Sequence, residues 1–352
     1  MPADFLLYGS YGYTGRLIAT RALEQGLRPL LAGRDAEKVR AHAAELGLEH
    51  RAFALDDAAA TDAALGEVPV VLHSAGPFSR TAGPMAQACL RTKTHYLDIT
   101  GELSVFEAMA ALGPKAKDAG VMLLPGAGFD VVPSDCLAAH LKRRLPTATH
   151  LALAFQPVGG GISRGTATTM AENAAAGGAV RRNGRIVPVP AAYQTRDIDF
   201  GRGPVSATTI PWGDVSTAFY STGIGNIEVY TRMAPAQRRM MVASRYLGWV
   251  LGSGPVQKML KGRIHSGKPG PTDEERARGL SLLWGEVMDG DGREAVSRLR
   301  TPEGYTLTAM TSVEIVRKVL AGDAPAGFQT PSLAYGPDWI LDLEGITRED
   351  VE

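Results

Sequence analysis

Cysteine is nearly absent: the 352 residues contain two, Cys89 and Cys136. Two thiols cannot build a disulfide framework or a zinc site, so no metal is expected; both fall in helical patterns, where a free cysteine behaves as a small buried hydrophobe. Charge of either sign is not in excess, because 37 basic and 37 acidic side chains cancel, which excludes electrostatic capture of nucleic acid. No apolar run reaches the roughly 20 residues of a membrane span, and the first strand pattern follows the N-terminus without a cationic leader. These absences predict a cytoplasmic protein with no integral membrane segment. Catalytic signatures are missing too. None of the ten tyrosines starts a Tyr-x-x-x-Lys pair, so the proton relay of short-chain dehydrogenases is absent, and no His-Glu-x-x-His motif supports zinc-dependent hydrolysis.

Glycine, by contrast, is plentiful, and its first cluster is informative. The apolar run Phe5-Leu6-Leu7-Tyr8 leads into Gly9-Ser10-Tyr11-Gly12-Tyr13-Thr14-Gly15, and a helical pattern follows from Arg16-Leu17-Ile18-Ala19 to a stop at Gly26. Strand, glycine turn and helix in that order predict a dinucleotide site. One glycine makes the bend, one lets backbone N–H groups approach a pyrophosphate, and one packs the helix on the strand. The phosphates then sit at the helix N-terminus. The spacing is G-x-x-G-x-x-G, one residue longer in the first bend than G-x-G-x-x-G. A flexible loop is the other reading of such a cluster, but it does not explain the position between first strand and first helix.

The second strand distinguishes the coenzymes. In NAD-binding units it ends near an acidic residue that takes the ribose 2′-hydroxyl, whereas Arg28-Pro29-Leu30-Leu31-Ala32 ends in Gly33-Arg34-Asp35. Gly33 leaves room, the planar fork of Arg34 suits a 2′-phosphate, and Lys38 one turn further adds a cation. Asp35 is placed to cap the next helix. The segment therefore reads as an NADP(H) site, the alternative being that Arg34 is simply solvated.

Strand patterns at about 4–8, 28–32, 50–55, 68–74, 95–99 and 120–124 alternate with helical ones, which predicts an α/β fold with a Rossmann-type, doubly wound parallel sheet. The fourth strand runs through His73-Ser74 into Ala75-Gly76-Pro77-Phe78 at its carboxyl end, where ligands of such sheets bind; Ser74 to Phe78 are expected to pass close to the cofactor, with Phe78 on the nicotinamide side. The proton donor that a hydride transfer needs is expected at the same edge. Tyr96 in the fifth strand and Asp130 after the sixth are the catalytic candidates, with Asp98 beside them. The competing reading makes Tyr96 a core residue with a satisfied hydroxyl and makes Asp130 and Asp135 helix caps.

Together, Gly9 to Gly15, Gly33-Arg34, Ala75 to Phe78, Tyr96-Leu97-Asp98-Ile99-Thr100-Gly101-Glu102 and Gly128-Phe129-Asp130-Val131-Val132-Pro133-Ser134-Asp135 resemble the saccharopine dehydrogenase-like NADP-binding reductases. Pro211 to Asp214, Ser221-Thr222-Gly223, Gly270-Pro271 through Arg276, Thr330-Pro331-Ser332 and Gly336 resemble the trans-acting enoyl reductase subgroup. The resemblance implies NADP(H), a Rossmann domain over 1–130, an inserted α+β substrate and dimerisation domain over 131–310, and a C-terminal segment, 311–352, returning to the first domain. It implies hydride transfer to a conjugated C=C bond of an enoyl thioester or lipid-like substrate, free or carrier-bound, by a homodimer. The runner-up is reduction of a C=N bond, with Arg164 the nearest arginine for a substrate carboxylate; a protein that only senses NADP(H) is the non-catalytic alternative.

Within the second domain, Gly159-Gly160-Gly161-Ile162-Ser163-Arg164-Gly165-Thr166 reads as a mobile connection or a second anion turn, followed by a helix over about 166–176. Arg181-Arg182-Asn183-Gly184-Arg185 is a hairpin turn, its three arginines facing solvent or, alternatively, an acidic carrier. Residues 201–232 predict short strands, with Trp212 and Asp214 as weak cleft candidates. The stretch from Arg238 to Arg263, including Leu247, Trp249, Val250, Leu251 and Met259, reads as a packed or tunnel-lining helix, with membrane-surface contact as the alternative.

Overall fold

A computed structural model describes residues 3–173, 177–251 and 253–352. The chain forms two compact units: Met1–Val132 with Tyr305–Ala334, and Pro133–Gly304 with Tyr335–Glu352. The first begins with β1 (Phe5–Tyr8), α1 (Tyr13–Glu24), β2 (Pro29–Gly33), α2 (Ala36–Leu46), β3 (His50–Ala52), α3 (Ala58–Leu65), β4 (Val70–His73), α4 (Phe78–Thr92), β5 (His95–Asp98), α5 (Leu103–Ala119) and β6 (Met122–Leu124). In the second unit lie α6 (Val132–Arg144), β7 (His150–Val158), α7 (Arg164–Asn173), β8 (Gly178–Arg182), β9 (Arg185–Val189), β10 (Thr195–Asp199), β11 (Pro204–Thr209), α8 (Asp214–Thr222), β12 (Asn226–Arg232), α9 (Pro235–Leu251), α10 (Gly254–Ser266), α11 (Asp273–Arg278), β13 (Leu280–Met288) and β14 (Glu294–Pro302). The chain ends with α12 (Gly304–Leu320), β15 (Gly327–Phe328), α13 (Pro331–Tyr335) and β16 (Thr347–Val351).

The first sheet is parallel throughout, in the order β15-β6-β5-β4-β1-β2-β3. All four residues of β1, all five of β2 and all four of β4 are buried, as strands covered on both faces require, which is why they read as continuous apolar runs. Local chemistry ends the helices between them. Asp35 Oδ1 accepts from the Lys38 N–H at the start of α2, Asp57 does the same for Ala60 in α3, and Gly47 and Gly120 close α2 and α5 in the left-handed region. The strand order reverses direction between β1 and β4, so a crevice opens beyond their carboxyl ends.

The second unit is a mixed sheet, β10-β11-β12-β7-β13-β14-β16, with β8 bridging β12 and β9. A Cβ on Gly285 of β13 would lie 2.5 Å from Leu141 of α6, so the missing side chain lets that helix press on the sheet. Of the segment 311–352 expected in the first domain, residues up to Ala334 are there, but the rest belongs to the second unit, because β16 pairs antiparallel with β14.

Three other expectations change. Residues 214–222 are a helix, α8, closed by Gly223 at φ 71°, where strands were predicted. Only Arg185 of the 181–185 arginines is exposed. Arg181 is 3% exposed; its guanidinium donates to the Val215 and Gly184 carbonyls and stacks 4.3 Å from the Phe219 ring centroid, while Arg182 pairs with Glu228. The turn itself is the predicted hairpin, with Asn183 and Gly184 at φ 48° and 78°. Ser163 is buried and its Oγ accepts from the Thr166 N–H at the start of α7, so it caps a helix; Gly161 to Gly165 also has the G-x-S-x-G spacing of a hydrolase elbow, but this hydroxyl is committed to the cap. Positions 174–176 of the helix expected over 166–176, and the side chains of Leu247, Trp249, Val250 and Leu251, lie outside the described residues. No helix among the described residues is long and apolar enough to cross a membrane.

Candidate cofactor site

Strand order β4-β1-β2 brings three expected segments together at one edge of the first sheet: Gly9–Gly15 after β1, Gly33–Lys38 after β2 and Ser74–Phe78 after β4. The turns are packed backbone to backbone. Gly9 has φ 87°, and a Cβ there would lie 2.8 Å from the Ala75 nitrogen. A Cβ on Gly15 would lie 2.4 Å from the Gly9 carbonyl oxygen and 2.8 Å from that of Ser10, so each glycine is required by close approach. Gly9 N–H and Ser10 N–H both donate to the Ala32 carbonyl, at 2.8 and 3.2 Å, which ties the turn to the end of β2. Ser74 Oγ donates 2.9 Å to the Tyr8 carbonyl and ties it to β4.

The starts of the helices differ in a telling way. α2 and α3 are capped by Asp35 and Asp57, and α4 by a distant carboxylate: Glu102 Oε1 and Oε2 accept from the N–H groups of Phe78 and Ser79 at 2.8 and 3.0 Å. α1 starts at Gly12 with no side-chain cap and no acid in its first turn. An uncapped N-terminus beside a glycine turn suits a bound anion. Within the same turn Ser10 is fully buried and its Oγ makes no hydrogen bond, a cost that a ligand oxygen would remove. At the end of β2 the Tyr11 ring covers Gly33, 2.7 Å from where a Cβ would stand. Arg34 is exposed, and among the described residues no acid engages it. Lys38 is already held, with Nζ 3.0 Å from Asp35 Oδ2 and 5.9 Å from the Tyr11 centroid; the hydrogen bond from Lys38 lowers the Asp35 carboxyl below its ordinary range. Buried, unbonded donor capacity next to a glycine cradle, with a free guanidinium at the β2 end, fits the diphosphate and 2′-phosphate of NADP(H).

The two catalytic candidates separate. Tyr96 is 0% exposed, and its hydroxyl donates 2.5 Å to Asp98 Oδ2, while Asp98 Oδ1 accepts from the N–H groups of Thr100 and Gly126, both at 2.9 Å. Burial and the adjoining carboxylate raise the Tyr96 hydroxyl well above its ordinary value, and burial raises Asp98 to about 6. Tyr96 thus sits in the core with a satisfied hydroxyl that, through Asp98, steadies the loops after β5 and β6, as the competing reading of this residue expects. Asp130 follows β6 and lies against the loop after β5, since a Cβ on Gly101 would stand 2.7 Å from its carboxyl oxygen. Burial raises its carboxyl to about 7. His73, opposite Asp98 on the adjacent strand, is buried among Tyr8, Phe78 and Tyr96, and burial lowers it to about 3, so it is neutral. Its Nε2 meets Thr81 Oγ1 at 2.9 Å, and that hydroxyl lies 2.8 Å from the Ala75 carbonyl; the Ala75–Phe78 turn is held by this relay and by Glu102.

Two contributors were not visible in the sequence. Glu102 follows β5 in Thr100-Gly101-Glu102, but nothing local announces that it caps α4. Tyr305, at the start of α12, meets the Tyr13 ring edge-on at 5.1 Å, and Thr308 one turn later accepts from the Phe129 N–H at 3.0 Å. The segment that supports both glycine turns therefore comes from far along the chain.

Residues 5–124 match the family profile described as saccharopine dehydrogenase NADP binding domain. This amino-terminal segment of the first unit is thus similar to saccharopine dehydrogenase NADP-binding domains. The match covers every predicted cofactor residue, from Gly9 to Phe78. The trans-acting enoyl reductase of Mycobacterium leprae is 37% identical over 150 residues, 40% of this chain and 36% of that protein. Its counterpart in Mycobacterium tuberculosis strain H37Rv is 35% identical over 149 residues, again 40% and 36%. These matches thus take in little more than a third of those relatives' length. Apo saccharopine dehydrogenase (L-Glu forming) from Saccharomyces cerevisiae superposes over 99% of this chain and 100% of its own with a TM-score of 0.65 at 13% identity, a likeness of fold.

Proposed function

We propose that this protein is an NADPH-dependent oxidoreductase that reduces a C=C bond conjugated to a thioester or other lipid-like carbonyl. The observation that carries the coenzyme assignment is the uncapped start of α1 above the unbonded, buried Ser10 hydroxyl, with Arg34 open at the end of β2. In this reading the Gly9–Gly15 turn holds the diphosphate, Arg34 grips the 2′-phosphate with Lys38 beside it, and Ser74–Phe78 borders the nicotinamide. Bound NADPH supplies the hydride, which goes to the β-carbon of the acceptor. Asp130 supplies the proton to the α-carbon; with its carboxyl raised to about 7 by burial it is half protonated at neutral pH, the condition a general acid needs. The second unit is the substrate and dimer-forming domain, and the acceptor arrives free or on a carrier, in the cytoplasm, where Cys89 and Cys136 stay free thiols.

The enoyl acceptor is preferred because the relatives at 35 and 37% identity are named trans-acting enoyl reductases. Reduction of a C=N bond in an amino-acid substrate needs an arginine for the substrate carboxylate, and Arg164, the sequence candidate, already donates through Nε and a terminal nitrogen to the Gly267 carbonyl. The test is an NADPH-consumption screen across enoyl thioesters, imines and keto acids. Enoyl thioesters are expected to turn over, with kcat constant below pH 7 and falling above it as Asp130 loses its proton. Asp130→Asn is expected to lower kcat about 10²- to 10⁴-fold. Turnover of imines alone, or a pH profile unchanged by Asp130→Asn, overturns the acceptor or the donor respectively; tight NADPH binding without turnover of any acceptor favours a sensor.

A further inference from the structure

The chain is neutral overall, yet between Glu228 and Asp273 it carries eight lysines and arginines and no acid. That stretch builds α9 and α10, which pack on each other, and α10 packs on α7. Five of these cations lie on the two helices with described side chains and fall into two sets, while Lys268 beyond α10 pairs with Glu275. Arg238 donates to Thr195, and Arg245 to the Ala191 and Ala192 carbonyls, so these two fasten α9 to its own unit. Arg239, Lys258 and Arg263 are exposed and meet no acid among the described residues. These two helices and α7 also carry large exposed apolar side chains: Met240 is 71% exposed, Tyr246 78%, Met259 58% and Met170 of α7 60%. On α9, Arg239, Met240, Ala243 and Tyr246 are spaced three and four apart, so they share one face, and all are exposed.

We propose that the exposed surface of the packed helices α7, α9 and α10 docks on an anionic lipid surface. The cations of α9 and α10, with no acid on either helix, interleaved with unbranched thioethers and a tyrosine, match what an interfacial helix needs: charge for acidic headgroups, apolar side chains that sink past them, and an aromatic ring at headgroup level. The stems of Arg239, Lys258 and Arg263 lie along the apolar surface while their heads reach phosphate. An acidic protein would satisfy the charges but would leave three solvent-exposed methionines without a complementary groove, which is why the lipid surface is the better match.

The experiment is co-sedimentation of the full chain with vesicles of phosphatidylcholine alone and of phosphatidylcholine with 30% phosphatidylglycerol, at low and high salt. The chain binds the anionic vesicles at least tenfold more tightly than neutral ones, and 0.5 M salt removes most of that difference. The triple variant Arg239→Glu, Lys258→Glu, Arg263→Glu loses anionic binding at least tenfold, and Met240→Ser with Met259→Ser weakens it at low and high salt alike. NADPH affinity, read in the other unit, stays unchanged in both and reports folding. Failure to bind anionic vesicles, equal binding to both vesicle types, or variants that bind like the parent overturn the proposal. Salt-sensitive retention by an acidic carrier protein, with no vesicle binding, assigns the face to a protein instead. None of these outcomes depends on the acceptor that the enzyme reduces.

Discussion

Replacing Arg34 by alanine tests the coenzyme assignment at one side chain. Arg34 is exposed and has no recorded hydrogen bond or ion pair among the described residues, so the variant gives up no contact in the free protein and its stability stays within about 0.5 kcal/mol of the parent. What it gives up appears only with coenzyme. A charge-assisted bond to phosphate contributes about 1.5–3 kcal/mol, which raises the Kd for NADPH about 10- to 150-fold. NADH, which has a hydroxyl where NADPH has the 2′-phosphate, binds nearly as before. Because the guanidinium faces solvent, the NADPH loss shrinks at high salt. Lys38→Ala costs less than Arg34→Ala, since Lys38 spends its charge on Asp35 at 3.0 Å, and the α2 cap survives because Asp35 also accepts from the Lys38 backbone N–H. Calorimetric or fluorescence titration of both coenzymes reads the outcome. Equal losses for NADPH and NADH, or none for NADPH, refute the role given to Arg34.

Two further substitutions probe the frame of the site. Gly15→Ala puts a methyl group 2.4 Å from one carbonyl oxygen and 2.8 Å from another, both backbone, so the turn must shift at a cost of about 1–3 kcal/mol; titration should show NADPH and NADH weakened in parallel, and undiminished affinity would mean that the turn does not cradle the diphosphate. Tyr96→Phe removes one of the three donors to buried Asp98 and should cost about 1–3 kcal/mol in urea unfolding while leaving kcat within a few-fold of the parent. Full stability with a collapsed kcat would return Tyr96 to the chemistry.

Much of the first unit was legible because its signals are local. A buried four-residue run, a glycine turn and a helix of the right period sit within 24 residues, and each step of the β-α alternation repeats that logic with its own cap. The place of Arg34, directly after β2, was legible for the same reason. What the sequence hid is long-range. Tyr96 reads equally as strand or catalyst until its hydroxyl is seen to donate a hydrogen bond to Asp98, and Arg181 reads as a surface charge until the Phe219 ring and two carbonyls close over it. The span 201–232, poor in charge and rich in Thr, Ser and Gly, looked like strands throughout; the helix from Asp214 to Thr222 is set by tertiary packing, since five of its first six residues, Asp214 to Ala218, are buried. The two-residue β15 carries no pattern of its own and exists only through its pairing with β6.

That short strand has a consequence for how the cofactor domain comes into being. Gly327 and Phe328 pair with Met122 and Leu123, and α12 sends Thr308 back to the Gly128-Phe129 turn. A growing polypeptide therefore emerges with its first six strands complete but one outer margin bare, and must thread an entire second unit before the closing pieces are synthesised. A truncated product ending near residue 132 would leave Met122–Leu124 as an unprotected hydrophobic border, prone to pair with other chains. Producing the nucleotide-binding half in isolation calls for splicing residues 305–334 onto it by a short linker.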